Sequence, residues 1–251
     1  MRRALGLAAA LSGVNLTLAL ASCSSSVARR PGIHGLASSP RWGRTLSRAH
    51  LIVPGFPPSY VPSSPLTPQV VADALAETLS RANIGSRFLL VGHTIGGLNL
   101  RLFGASYADL VAATMFLDPT VPSSVTSNPS FEAEVSRLAY DPQATEREGD
   151  AVTSWSSGAP ILVLSHDPAR AVDAGAFSPS DEAIWDEGQK AYARLTSRGT
   201  QADVTGASHY VFVDAPEVVV SAIQGLLQAA RRAVSTRPAT DGDARARGRG
   251  T

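Results

Sequence analysis

Few architectures accommodate a chain that runs Phe88-Leu89-Leu90-Val91 into Gly92-His93-Thr94-Ile95-Gly96-Gly97 and then into a helix-like segment from Leu98 to Tyr107. The apolar run reads as a strand buried on both faces. The glycines allow the backbone to reverse sharply and the next helix to pack against the strand it has just left. Bulky side chains two residues either side of the apex would collide, so Gly92 and Gly96 flank Thr94. A hydroxyl thus sits at the apex of a tight strand–turn–helix. The amides of the following helix point at it, and the N–H of Ile95 is a candidate oxyanion donor.

The same rhythm recurs along the chain. His50 to Val53 reads as a short strand, and Pro54 to Leu66 as a Pro/Ser-rich loop. Thr67 is placed as an N-cap with Pro68 at the first helical position, and Val71, Leu75 and Leu79 line one helix face. Asn83 to Ser86 reads as a turn. Ala112 to Leu117 forms the next strand, ending Asp118-Pro119-Thr120. Pro160 to Leu164 is another strand, Trp185 to Arg198 a helix, and Gln201 to Val204 a weak last strand. Asp214 to Glu217 opens a closing helix, Val218 to Arg232. Alternating strands and helices argue for a mostly parallel sheet with helices on both faces. Residues 121–158 interrupt the alternation with polar turns and a charged helical stretch around Phe131 to Tyr140; they are expected to form a small cap.

The chain has 251 residues, 44% of them apolar, which suits one sizeable domain. A net charge of +1 offers no electrostatic case for nucleic acid. The single cysteine, Cys23, excludes an intrachain disulfide and a multi-cysteine metal site, and no metal or cofactor is expected. Met1-Arg2-Arg3, an apolar stretch from Ala4 to Ser22 and Leu20-Ala21-Ser22-Cys23 together read as a secretory signal. The last four residues resemble the lipobox of bacterial lipoproteins. That resemblance implies a lipidated Cys23 and anchorage to the outer face of the bacterial cell membrane; secretion without lipid is the alternative. Residues 1–22 are accordingly expected outside the domain. Residues 23–49 read as a linker holding a candidate oxyanion segment, 50–235 as the domain, and 236–251 as a disordered Arg/Gly/Asp-rich tail.

The run from Val91 to Pro119 resembles the core of the α/β-hydrolase superfamily, with bacterial esterases and lipases as the nearest type. Joined to Ser208-His209 downstream, the resemblance covers roughly residues 50–232. It implies an α/β-hydrolase fold with its N-terminal strands shortened or lost. Gly-His-Thr-Ile-Gly stands where the superfamily has G-x-S-x-G, so threonine replaces the nucleophilic serine. The hydroxyl is kept, but β-branching restricts χ1 and is ill suited to the strained turn.

The resemblance further implies His209 as general base, in the order nucleophile, acid, histidine. Two acids are candidates. Asp118, at the end of the strand after the elbow helix, is favoured; Asp167, after the strand Pro160–Leu164, is the alternative. The oxyanion loop is aligned with His34-Gly35, making Gly35 the second donor, although no buried strand precedes it and cleavage before Cys23 leaves too few residues for the usual first two strands. The functional expectation is hydrolysis of a small carboxylic ester or acyl compound through Thr94, His209 and Asp118. The alternative is a catalytically impaired pseudoenzyme that binds a small ligand or a partner.

Overall fold

The computed structural model describes residues 5–11, 14–23, 49–51, 64–81, 87–173 and 177–235. Its sheet contains β1 (Leu5–Leu11), β2 (Val14–Cys23), β3 (Ala49–Leu51), β4 (Arg87–Thr94), β5 (Val111–Pro119), β6 (Ile161–Ser165) and β7 (Gly199–Asp203). They lie in the order β1-β3-β2-β4-β5-β6-β7. β2, β4, β5, β6 and β7 pair parallel to one another, whereas β1 runs antiparallel to β2 and β3.

Helices cover both faces because the strands alternate. Phe88 and Leu90 of β4 face one core with Val71, Leu75 and Leu79 of α1 (Pro68–Arg81) and Leu98 and Phe103 of α2 (Ile95–Ser106). Leu89 and Val91 face the opposite core, with Val219, Ile223 and Leu226 of the closing helix. Val219, Ile223, Leu226 and Ala230 recur at helical spacing, which gives that helix its single apolar stripe. The N-cap forms as read from the sequence: Val70 N–H donates to Thr67 Oγ1 at 3.3 Å.

Between β5 and β6 the chain forms three short helices, α3 (Ser124–Ser127), α4 (Pro129–Arg137) and α5 (Pro142–Ala151), the last two capped by Asn128 and Asp141 side chains. After β6 come α6 (Pro168–Asp173) and α7 (Pro179–Ala193); α8 (Val211–Asp214) and α9 (Pro216–Ser235) follow β7. α7 begins six residues before the expected Trp185 and ends at Ala193 instead of Arg198. A capping box explains the early start: Ser178 Oγ accepts from Asp181 N–H, and the Asp181 carboxylate accepts from Ser178 N–H.

The largest difference concerns the N-terminus. The sequence reading sets residues 1–22 apart as a signal, whereas here most of them form two strands of the sheet. β2 pairs with β4 over eight positions, from Leu16 opposite Arg87 to Cys23 opposite Thr94. Val14, Leu16, Leu18 and Leu20 alternate with Asn15, Thr17, Ala19 and Ala21, which is strand periodicity inside a stretch whose apolar length suggests a signal. The candidate lipidation residue, Cys23, is the last residue of β2. β1 and β2 thus lie within the residues that the sequence reading assigns to the signal. His34-Gly35, most of the linker and the tail lie outside the described residues.

Deleting residues 1–22 removes β2 and leaves the β4 edge unpaired. The truncated protein is expected to lose cooperative thermal unfolding and to aggregate. Circular dichroism melts of both forms check this; an unchanged melting temperature would mean that the domain does not need these strands.

Candidate active site

The C-terminal ends of β4, β5, β6 and β7 each bring one group to the site: Thr94, Asp118, His166 and His209. Thr94 ends β4 at φ 50° and ψ −127° and directly precedes α2. A β-branched residue at positive φ carries strain of about 1–3 kcal/mol, retained only where the surroundings over-determine it. Those surroundings are visible at the glycines. A Cβ on Gly92 would lie 2.8 Å from Gly96 O and from Gly97 Cα, and one on Gly97 would lie 2.5 Å from Pro119 Cβ. The turn is thus closed against β4 on one side and β5 on the other. Ile95 is the first residue of α2, so its N–H has no partner within the helix and is available beside Thr94.

Asp118, one residue before the end of β5, also has positive φ, at 42°. Its carboxylate is fully buried and takes donors from three different segments. His209 Nδ1 lies 2.6 Å from Oδ2, and His166 Nδ1 lies 2.8 Å from the same oxygen. Trp185 Nε1–H donates to Oδ1 at 2.9 Å, and the His166 backbone N–H reaches that atom at 3.5 Å. Burial alone would raise the Asp118 pKa, but the hydrogen bonds and charges of His166 and His209 hold it below the usual carboxylate range.

His209 sits in the loop after β7, which two aspartates fasten. Asp167 Oδ2 accepts from Gly206 N–H at 2.7 Å, and Asp214 Oδ2 accepts from Ser208 N–H at 2.7 Å. With Nδ1 bonded to Asp118, the His209 Nε2 is left for other work. Beneath it lies His93, whose ring centroid is 4.5 Å away and whose Nε2–H donates to the His209 carbonyl at 2.9 Å. A carbonyl only accepts, so His93 Nε2 carries the proton, and Nδ1 is a buried acceptor with no hydrogen-bond partner among the described residues. Burial, and then the nearby His209, push the His93 pKa down to about 3.

The structure brings Thr94, Ile95, Asp118 and His209 to one end of the sheet and pairs His209 with Asp118. Asp167, the alternative acid, is engaged elsewhere: besides Gly206 it accepts from Ala169 N–H at 3.0 Å, and the Gly206 bond above all lowers its pKa. Among the described residues no hydrogen bond joins Thr94 to His209. Thr94 Oγ1 lies instead 3.2 Å from Thr120 Oγ1, and Thr120 is held by Tyr192 O–H donating to its carbonyl at 2.7 Å.

Sequence reasoning does not single out His166, Glu182, Trp185 or Thr120 as site residues. Their roles depend on α7 crossing the end of β5. The capping box at Ser178 is the available signal, since it starts the helix early enough to place Glu182 and Trp185 three residues apart on one face. His166 Nε2 lies 2.9 Å from Glu182 Oε2. Burial would lower the His166 pKa, but Asp118 and Glu182 outweigh it and raise it to about 9. Among the described residues no group of three or more His, Cys, Asp and Glu side chains is arranged to hold a metal ion.

No protein-family profile and no curated protein matches the sequence. Solved structures do. MGS-MChE2, an alpha/beta hydrolase enzyme from the metagenome of lagoon sediments at Mar Chica, Morocco, superimposes with a TM-score of 0.56 at 11% identity, covering 88% of this chain and 97% of its own. A thermophilic esterase from Thermogutta terrifontis gives 0.54 at 17% identity, over 87% and 91%. Est816, described as an N-acyl homoserine lactone degrading enzyme, gives 0.54 at 14% identity, over 87% and 99%. At such identities the likeness establishes the fold: this chain has the α/β-hydrolase fold.

Two histidines make stability pH-dependent in opposite directions. His93 has its folded pKa depressed to about 3 from 6.5, so its contribution is present above pH 6.5 and is lost as pH falls towards 3. His166 has its folded pKa raised from 6.5 to about 9, so its contribution is complete below pH 6.5 and is lost as pH rises through 9. The melting temperature is expected to fall between pH 6.5 and 9, and His166→Asn is expected to flatten that fall. A melting temperature that rises over this range in the wild type would contradict the assignment.

Proposed function

We propose that the protein is a hydrolase of small carboxylic esters or related acyl compounds, with Thr94 as nucleophile, His209 as general base and Asp118 as the acid that orients the histidine. The observation that carries this reading is the 2.6 Å contact between His209 Nδ1 and a buried Asp118 carboxylate, at the end of the sheet where the strained Thr94 turn also lies. Asp118 fixes the tautomer: a carboxylate only accepts, so Nδ1 carries the proton and Nε2 is the basic nitrogen. Thr94 Oγ1 attacks the acyl carbon and its proton passes to His209 Nε2. The Ile95 N–H stabilises the oxyanion. Collapse expels the alcohol, which takes the proton from His209, and leaves a threonyl ester. A water molecule, deprotonated by His209, then releases the acid and restores Thr94.

The second reading, a catalytically impaired binding protein, is favoured by one observation. Thr94 Oγ1 is bonded to Thr120 Oγ1, and its χ1 freedom is restricted by the extra methyl. Serine at this position would turn towards His209 without that restriction.

For location, the N-terminal sequence supports export with a lipid on Cys23, or export without one. The β2–β4 pairing supports retention of residues 1–22. Intact-mass measurement of the protein from its native host separates them: an acylated chain beginning at Cys23 supports lipidated export, a shortened chain without acyl groups supports export without lipid, and a chain that keeps residues 1–22 supports retention.

Hydrolysis of p-nitrophenyl acetate and butyrate tests the activity. Thr94→Ser is expected to raise kcat about 10²-fold, the scale attached to misplacing a reacting atom by roughly 1 Å. His209→Ala is expected to lower kcat/KM by about 10²–10⁴-fold, the usual worth of a general base. Asp118→Asn is expected to fall in the same direction, and Asp167→Asn, which loosens one fastening of the His209 loop, to lower the rate far less than Asp118→Asn. A wild-type rate equal to that of His209→Ala, with Thr94→Ser active, would support the binding-protein reading instead.

A further inference from the structure

Asp118 is not held by His209 alone. Its Oδ2 is shared by two histidines, at 2.6 Å from His209 and 2.8 Å from His166. The second of these has no place in the three-residue mechanism. His166 lies between two carboxylates, with Nδ1 facing Asp118 and Nε2 facing Glu182 Oε2 at 2.9 Å. An ionised carboxylate offers only lone pairs, so a neutral imidazole, with one N–H and one bare nitrogen, cannot satisfy both contacts. One proton must lie on each line. On the Glu182 line it sits on nitrogen, because imidazole is intrinsically the stronger base, with ordinary values of 6.5 against 4.5 for the carboxyl, and the Asp118 anion beside the ring adds to the difference. His166 is almost completely buried, and the Glu182 side chain is about 10% exposed, so water screens the arrangement little.

From this geometry we infer that His166 is a positioning residue: a doubly protonated imidazolium, fastened by Glu182, that fixes the Asp118 carboxylate and takes up part of its charge, thereby tuning how strongly Asp118 binds His209. The inference rests on the proposed Thr94–His209–Asp118 reading for its effect on catalysis, but not for its protonation state. Aromatic packing supports the same role. His166 stacks on Phe177 at 5.5 Å and 18°, and Phe177 and Phe131 both pack against Trp185, which donates to the other Asp118 oxygen. Phe131 belongs to α4, so the helical insertion between β5 and β6 closes this side of the carboxylate.

The charged and titratable groups around the pair are few. Asp118 and Glu182 face His166 directly, with Asp167 next in sequence and Asp186 one turn along α7 from Glu182. His93, Tyr210 and Asp118 face His209. A protonated His166 is the one positive group in this set that touches Asp118 without belonging to the three residues assigned to chemistry. Removing its charge leaves the full carboxylate charge to His209. The His209 Nδ1–H bond is then expected to tighten, and hydrolysis to require a higher pH.

Histidine-labelled NMR on the full-length protein tests this. In the wild type at about pH 7.5, within the range where a raised pKa keeps the ring charged, His166 is expected to carry protons on both ring nitrogens. In Glu182→Gln its second proton is expected to leave at a pH lower by about one unit, the scale of losing one neighbouring charge. In His166→Asn, whose neutral amide keeps a donor towards Asp118, the low-field proton shared by His209 and Asp118 is expected to move further downfield; in Glu182→Gln it is expected to do so only at the higher pH where His166 has lost its second proton. The acid limb of the kcat/KM profile on p-nitrophenyl butyrate is expected to move to higher pH by about one unit in His166→Asn and not in Glu182→Gln, where His166 is still charged at acid pH, and His166→Asn is expected to retain more kcat than His166→Ala. A singly protonated His166 in the wild type, or a low-field proton unmoved in His166→Asn, overturns the inference. If no variant hydrolyses ester while the NMR results hold, the proposed hydrolysis fails and the positioning role stands.

Discussion

A single buried carboxylate organises the functional end of this molecule. Asp118 has no exposed surface, and an unpaired charge in such a place is strongly destabilising. Its stability therefore depends on the donors that reach it: His209 from the loop after β7, His166 from the end of β6 and Trp185 from α7. Three segments far apart in sequence are tied to one group. The loop that carries His209 is fastened again by Asp167 and Asp214, so the histidine is held by its ring and by its backbone. The same interactions that offset the cost of burying Asp118 orient the group proposed as general base.

Strain is concentrated at the same place. Thr94 and Asp118, at the ends of neighbouring strands, both have positive φ without being glycine. The Thr94 turn is held by close packing around Gly92 and Gly97, at contact distances that leave no room for a Cβ. Asp118 is held by the donors that converge on its carboxylate. Threonine adds the stiffness of a β-branched side chain to its turn, and its hydroxyl is turned to Thr120. Fold and chemistry thus part company at one atom. The backbone is a strained strand–turn–helix, and the Thr94 side chain must leave Thr120 before it can act in the proposed reaction.

Elements with a strong local signal are legible in the sequence. The β4–α2 turn shows through its glycines, and α1 through Thr67, Pro68 and the Val71-Leu75-Leu79 spacing; the preference for Asp118 over Asp167 comes from the family resemblance, not from a local pattern. What the sequence hides depends on competing or non-local signals. The first two strands are masked because the basic start and the apolar length of residues 1–22 outweigh the period-two alternation from Val14 to Leu20. Apolar spacing alone starts α7 too late, because its true beginning is set by the polar capping box at Ser178. His166 and Glu182 are 16 residues apart and meet Asp118 only through the packing of α7 over the sheet, which no local pattern reports. The assignment of Gly35 to the oxyanion loop falls outside the described residues. β2 ends beside the turn, with Cys23 opposite Thr94.

The central claim is that Thr94 is a nucleophile despite its methyl group and its bond to Thr120. Incubation of the full-length protein with a p-nitrophenyl alkylphosphonate, followed by peptide mass spectrometry, tests it directly. The expected result is one phosphonyl adduct on Thr94, formed more slowly than the adduct at the same position of the Thr94→Ser variant and absent from His209→Ala. An unmodified Thr94 in a wild-type protein whose Thr94→Ser variant is fully labelled would contradict it.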